Sequence, residues 1–395
     1  MKKVFIKSGK TDALKRFHPW IFSGALSKED PGITDGELVE VCAANGDFLA
    51  FGHYQDGSIK IRVLSFEPLT GDYGGFWLQR LQDAFQLRQT LGFGLDAATN
   101  AYRLVHAEGD QLPGLIIDIY DRTAVVQCHS IGMHRDLPWI REALLQVPGL
   151  TLEAIYDKSR ETLPAGFAET VENRYIWQSS QGTSAIRENG HTFVVDWEKG
   201  QKTGFFLDQR DNRQLLARYA PGKTVLNAFS YSGGFSVYAL AAGAQQVHSV
   251  DVSKQAIELT EQNVALLKDT DPGRHQAFAQ DVFAFLKQSE PVYDIMVVDP
   301  PAFAKNLKKR HNAVQGYKRL NAAALEKIKP GGLLFTFSCS QVIDRQLFQD
   351  TLVAAALEAG RPVRILHQLN QGADHPVNIF HPEGAYLKGL VLYVG

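Results

Sequence analysis

The chain has 395 residues, 45% hydrophobic and 21% charged, which excludes a disordered chain and predicts two or three domains with ample core. Its net charge of −2, from 41 basic and 43 acidic residues, does not advertise nucleic-acid binding, so any such surface must be local. The three cysteines, Cys42, Cys128 and Cys339, lie far apart with no CxxC, which argues against disulfides, zinc knuckles and iron–sulfur clusters and fits a reducing cytosol.

No apolar run reaches the ~18 residues needed to span a bilayer, and the start, Met1-Lys2-Lys3-Val4-Phe5-Ile6-Lys7, has no signal-peptide core. A cytoplasmic protein without membrane association is expected. Residues 2–16 hold Lys2, Lys3, Lys7, Lys10, Lys15 and Arg16 against Asp12 alone, a candidate phosphate contact or a solvated surface. Residues 37–41, 48–54 and 58–64 read as strands, with Asn45-Gly46 as a hairpin turn. That is a small β-barrel pattern over residues 1–70, with Trp20 and Phe22 as expected core. Residues 67–75 look like a linker. Helical spacing begins at residue 76, with Trp77, Leu81, Phe85 and Leu91 near one face. Strands near 102–106, 115–130 and 154–156 and a helix near 137–145 make a middle α+β domain over residues 71–185.

The last domain is expected over residues 186–395, and from Thr192 onward strand and helix alternate. Strands are expected at 224–226, 246–252, 294–298 and 333–337, and helices at 235–242, 254–267 and 317–328. This rhythm means an open, largely parallel α/β sheet that binds ligands beyond the carboxyl ends of its strands. The first of these strands runs into Asn227-Ala228-Phe229-Ser230-Tyr231-Ser232-Gly233-Gly234-Phe235, where glycines let a ligand approach the backbone. It is not the GxGxxG fingerprint, and a tight turn explains it equally well. Asp251 ends the next strand, where a carboxylate can accept from both ribose hydroxyls or cap a helix. Asp281 with Val282 can meet an adenine amino group, or Asp281 can cap the helix that follows. Asp299-Pro300-Pro301-Ala302-Phe303 freezes the backbone past a buried strand. Asp299 and its carbonyl neighbours can grip an amine or ring edge, with Phe303 as a stacking platform. Lys305-Asn306-Leu307-Lys308-Lys309-Arg310-His311 is a second basic candidate for phosphate contact.

These signals together make the chain resemble class I S-adenosylmethionine-dependent methyltransferases. More narrowly, it resembles the PUA-domain ribosomal RNA methyltransferases that make 5-methylcytosine in large-subunit (23S) rRNA. The resemblance runs along essentially the whole chain. It is carried by Arg16-Phe17-His18-Pro19-Trp20-Ile21-Phe22-Ser23-Gly24-Ala25, by Glu108-Gly109-Asp110-Gln111-Leu112-Pro113-Gly114-Leu115, and above all by residues 201–213. Asp299-Pro300-Pro301-Ala302-Phe303 and Ser338-Cys339-Ser340 complete it. It implies an N-terminal PUA-like barrel, a middle domain and a C-terminal Rossmann-like catalytic domain. It implies that Gln201, Lys202 and Thr203 border the cofactor pocket, and that residues 227–232, including Asn227, Phe229, Ser230 and Ser232, hold S-adenosylmethionine with Asp251 and Asp281. The implied partner is large-subunit ribosomal RNA, and a homodimer is plausible by analogy.

Carbon 5 of a pyrimidine is a poor nucleophile. A thiolate adding to carbon 6 makes carbon 5 carbanion-like, splitting one hard step into easier ones. Cys339 follows the strand at 333–337 and is expected as that nucleophile, against the alternative of a small buried hydrophobe. Asp299 is expected to stabilise the adduct at N3 or N4. No cysteine follows the Asp-Pro-Pro turn, which leaves the base for the carbon 5 proton unassigned. Two rivals stand: methylation of a guanine or adenine nitrogen, which needs no cysteine, and a non-catalytic RNA-binding or ribosome-assembly factor.

Overall fold

A computed structural model describes residues 1–268, 271–290, 292–304 and 306–395, and element counts refer to these residues. They form two compact units. One comprises Met1–Asn189, Val195–Leu207 and Ala373–Gly384, and the other Gly190–Val194, Asp208–Gly372 and Ala385–Gly395.

The first unit opens with β1 (Lys2–Ile6), the short helix α1 (Asp12–Lys15), β2 (Trp20–Phe22), β3 (Leu26–Glu29), β4 (Leu38–Cys42), β5 (Phe48–Tyr54) and β6 (Ile59–Ser65). The strands form one six-stranded sheet in the order β2-β6-β5-β4-β1-β3, with β1 parallel to β4. Its two edge strands are joined by Ser23–Ala25 alone, so the sheet curls until its edges are neighbours, as a small barrel requires. Val4, Ile6, Ile21, Val39, Val41, Ile61 and Val63 fill the interior.

Two expectations change here. Ile21 is the inward residue of β2, so its neighbours face the other way: Phe22 is 49% exposed, and Trp20, half-buried, donates from Nε1 to Glu108 at 2.9 Å. Lys2 pairs with Glu37, just before the neighbouring strand β4, at 3.0 Å, and Lys3 with Glu40 on β4 at 2.9 Å. The N-terminal segment therefore offers less free positive charge than its sequence suggests.

The unit continues with α2 (Tyr73–Thr90), β7 (Ala101–His106), β8 (Leu115–Tyr120), β9 (Thr123–Cys128), α3 (Ile131–Arg135), α4 (Leu137–Gln146), β10 (Ala154–Asp157), α5 (Ala165–Ala168) and β11 (Arg174–Trp177). A five-stranded sheet runs β11-β10-β9-β8-β7, and Trp77, Leu81 and Phe85 of α2 are buried in the core beside it. The helix starts before the expected residue 76. Asp72 accepts from the Gly75 amide at 2.7 Å, and this N-cap draws two supposed linker glycines into the first turn. β12 (Thr183–Glu188) follows, and β13 (His191–Asp196) belongs to the second unit up to Val194 and to the first from Val195.

The second unit holds α6 (Arg210–Tyr219), β14 (Thr224–Ala228), α7 (Gly234–Ala241), β15 (Gln246–Asp251), α8 (Lys254–Ala265), β16 (His275–Ala279), α9 (Val282–Gln288), β17 (Tyr293–Val298), α10 (Arg310–Lys327), β18 (Ile328–Ser338), α11 (Arg345–Glu358), β19 (Val363–Leu369) and β20 (Lys388–Val394). Its seven-stranded sheet runs β16-β15-β14-β17-β18-β20-β19. The first five strands are parallel, and β20 is antiparallel to both its neighbours. This is the expected Rossmann-like α/β sheet. Chain order reverses between β14 and β17, which opens a crevice at their carboxyl ends. α10 begins well before the expected residue 317, because its first turns are polar and carry no hydrophobic period. Arg310 and His311 are thus helical, and Lys305 lies outside the described residues.

Candidate active site

At the end of β14 the backbone takes the left-handed conformation at alternate residues: Phe229 (φ 62), Tyr231 (φ 46) and Gly233 (φ 74). Two of these are not glycine, so the loop must be held from outside. The Ser230 amide donates to the Val250 carbonyl at 3.1 Å and the Tyr231 amide to Asp251 Oδ2 at 3.1 Å. Thr260 Oγ1 donates to the Tyr231 carbonyl at 2.8 Å, and Asn263 Nδ2 to that of Ser232 at 2.9 Å. Gly233 is obligatory, since a Cβ there would sit 2.7 Å from Thr260 Cγ2.

Asp251 thus joins the loop to β15, and its Oδ1 accepts from the Ser253 amide at 2.9 Å. Ser253, not Asp251, caps α8. Asn227 turns into the fold, where Nδ2 donates to Ser236 Oγ at 2.9 Å. Ser230 Oγ is buried and has no hydrogen-bond partner among the described residues. A buried orphan hydroxyl needs a water or a ligand, so this loop fits a polar cofactor. Asp281 is exposed and caps α9, accepting from the Ala284 amide at 2.9 Å, while Val282 beside it is buried.

β17 and β18 lie side by side, with Val298 opposite Thr336, so the segments after them share one edge. Asp299 Oδ2 accepts from Gln209 Nε2 at 2.9 Å, and Gln209 Oε1 accepts from Asn212 Nδ2 at 2.6 Å. Gln209 is buried. It lies in the distinctive 201–213 stretch, yet nothing in the sequence links it to a carboxylate ninety positions on. The Ala304 amide donates to Ser340 Oγ at 3.4 Å and ties the Asp-Pro-Pro loop to the Ser-Cys-Ser loop. Phe303 packs on Tyr317, with ring centres 4.6 Å apart, so part of the expected stacking platform is already engaged.

The cysteines separate by burial. Cys42 and Cys128 are fully buried, and Cys339 is half-buried at the carboxyl edge. Burial pushes the Cys42 thiol up to about 11 and Cys128 well above the ordinary thiol value. Neither ionises readily, and only a thiolate is a good nucleophile.

The structure therefore brings Asn227, Phe229, Ser230, Ser232, Asp251, Asp281, Val282, Asp299 and Cys339 to one edge of the second unit's sheet. Gln201, Lys202 and Thr203 lie in the first unit. Gln201 and Lys202 are exposed there. Thr203 is buried, its Oγ1 donating to Asp118 Oδ2 at 2.6 Å while Arg103 grips Asp118 at 2.7 and 2.8 Å. Its hydroxyl serves that network.

Comparison with known proteins bears on this edge. Residues 166–385 match the model of an S-adenosylmethionine-dependent methyltransferase family, and residues 4–66 match a PUA-like domain. The chain is 39% identical over 399 residues to the "Ribosomal RNA large subunit methyltransferase I" of Alteromonas mediterranea, covering 99% of this chain and 98% of that protein. It is 40% identical over 400 residues to the protein of the same name from Pseudoalteromonas translucida, covering 99% of each. Among solved structures, a methyltransferase complexed with SAH aligns over 100% of both chains at a TM-score of 0.84 and 25% identity. A Streptococcus mutans protein at 24% identity and a TM-score of 0.82, also over 100% of both chains, shares the fold.

Proposed function

We propose that this chain, which belongs to the S-adenosylmethionine-dependent methyltransferase family and carries a PUA-like domain, methylates carbon 5 of a cytosine in large-subunit ribosomal RNA. The names of the relatives support the RNA class. In this reading residues 1–70 form the PUA-like RNA-binding domain, residues 71–185 a middle α+β domain, residues 186–395 carry the chemistry, and the enzyme works in the cytoplasm. The orphan Ser230 hydroxyl, the strained loop and Asp251 support a cofactor seat that includes Phe229, Ser232, Asp281 and Val282.

S-adenosylmethionine supplies an electrophilic methyl group on a sulfonium. The chain's own part is to make carbon 5 nucleophilic. Cys339 Sγ adds to carbon 6 as a thiolate, and the displaced electron pair moves toward carbon 5 and N3. Asp299, oriented by Gln209, meets N3 or N4; donating from its protonated carboxyl to N3, it stabilises that charge. Carbon 5 then bonds the methyl carbon as the C–S bond of the sulfonium breaks and leaves a neutral thioether; the carbon 5 proton passes to solvent, its bonding pair re-forms the C5–C6 double bond, and the thiolate is expelled. The observation that carries this reading is the position of Cys339, the one cysteine of three that is not fully buried, on the edge shared with Asp299 and the cofactor loop.

The test is transfer of labelled methyl to undermodified large-subunit rRNA by wild type and Cys339→Ala, followed by nucleoside mass spectrometry. The expected product is 5-methylcytidine, lost in the variant by at least about 10³-fold, the scale of removing a nucleophile. A methylated purine made equally by both proteins would establish nitrogen methylation instead.

A further inference from the structure

Lys388 opens β20 directly across the ladder from Ser338, the residue before Cys339. Its side chain is buried, at 5% exposure, and Nζ donates to the Ser340 carbonyl oxygen at 2.7 Å. The ammonium thus closes the Ser338-Cys339-Ser340 turn from the β20 side. Among the described residues it has no carboxylate within ion-pair distance. A buried cation without a counter-charge is expensive, so this corner favours a negative charge.

The groups that face it narrow the choice. Arg345, at the start of α11, repels the ammonium, and Asp344 beside it attracts weakly. In its thiolate form Cys339 is the strongest attracting group. Tyr317 on α10 faces the same turn, with its hydroxyl 3.3 Å from Ser340 Oγ, and the charge of Cys339 reaches it too. Burial outweighs these attractions and pulls Lys388 down to about 8. It remains mostly protonated at neutral pH.

We propose that Lys388 is the positioning residue that keeps Cys339 as a thiolate, the two forming an ammonium–thiolate pair at the carboxyl edge of the sheet. This rests on the reading of Cys339 as the nucleophile. When the pair forms, the thiol proton leaves to solvent and Lys388 keeps its own. The thiolate's electron pair then makes the bond to carbon 6. When that bond breaks at the end of the cycle, the electron pair returns to sulfur beside the same ammonium. No separate base is needed to activate the sulfur, and an opposite charge nearby favours the ionised form.

The test is the rate at which iodoacetamide alkylates Cys339, read by mass spectrometry of its peptide at pH 7 and pH 9.5. Free cysteine reacts roughly 30-fold faster at the higher pH, because its thiol ionises near ~8.5. Wild-type Cys339 is expected to gain less than about threefold. At pH 7 Lys388→Met should react at least about tenfold more slowly than wild type, with the gap closing by pH 9.5, and Lys388→Arg should stay within about threefold of wild type. Equal rates for wild type and Lys388→Met at pH 7 would overturn the pair. So would a wild-type gain as steep as that of free cysteine, which keeps the test decisive even where the Met variant does not fold. The assay needs neither RNA nor turnover, so it separates from the Cys339→Ala experiment. Loss of methyl transfer in Cys339→Ala with Lys388-independent alkylation would leave the nucleophile standing and make Lys388 a packing residue.

Discussion

Asp251 holds two amides at once, those of Tyr231 and Ser253, and so sets both the loop after β14 and the start of α8. Asp251→Ala removes the proposed ribose anchor and one of the bonds that hold Tyr231 left-handed. Calorimetry should show S-adenosylmethionine affinity falling by at least about tenfold, the scale of one charge-assisted bond. Unchanged affinity would remove Asp251 from the site. Its place at a strand end was legible from the sequence, because a carboxylate that closes an apolar strand in a βα series has few positions to occupy. Gln209 was not legible. A neutral amide carries no periodic or charge signal, and its contact with Asp299 exists only once α6 and β17 are packed.

Helix starts show the same division one level up. Asp281 combines two readings, a cap and a cofactor contact, and only the cap is a local property. Asp281→Asn keeps an acceptor for the Ala284 amide, whereas Asp281→Ala removes it. Urea unfolding should place Asn within about 0.5 kcal/mol of wild type and Ala about 1 kcal/mol below it. A cofactor role appears separately, as weaker S-adenosylmethionine binding in the Asn variant at unchanged stability. Equal stability of the Ala variant and wild type would mean that the cap contributes nothing. α2 and α10 both extend further toward the N-terminus than hydrophobic spacing indicated. Their first turns are fixed by an Asp72 cap and by polar residues, which periodicity does not register.

Within the second unit, the half-buried His275 links the fold to pH. Burial, with His248 adding repulsion, pushes His275 down to about 4, against an ordinary value of 6.5. The unfolded chain therefore binds this proton between pH 6.5 and 4 and the folded chain does not. Stability from this residue is complete above about pH 6.5 and is lost as pH falls toward 4. Solvent screening at a half-buried position holds the total to roughly 1–2 kcal/mol. Urea unfolding of wild type should weaken more between pH 7 and pH 5 than that of His275→Gln, which cannot titrate. Parallel losses would assign the acid sensitivity elsewhere.

Sequence alone determined the architecture of the catalytic half. Apolar strand runs, helical periods and turn residues are local, and their alternation leaves one practical solution, a parallel sheet with its ligand edge at the strand ends. It also singled out Asp251, Asp281, Asp299 and Cys339, because chemistry-bearing residues just past buried strands stand out against apolar neighbours. Tertiary structure decided which of these groups hold one another. Asp281 caps its own helix, Thr203 is absorbed by Asp118, and Phe303 is packed on Tyr317. It also decided that Lys388, forty-eight residues beyond Ser340, reaches the Ser340 carbonyl. That contact depends on β20 returning antiparallel beside β18. Burial and long-range pairing are properties of the folded chain, and no local pattern encodes them.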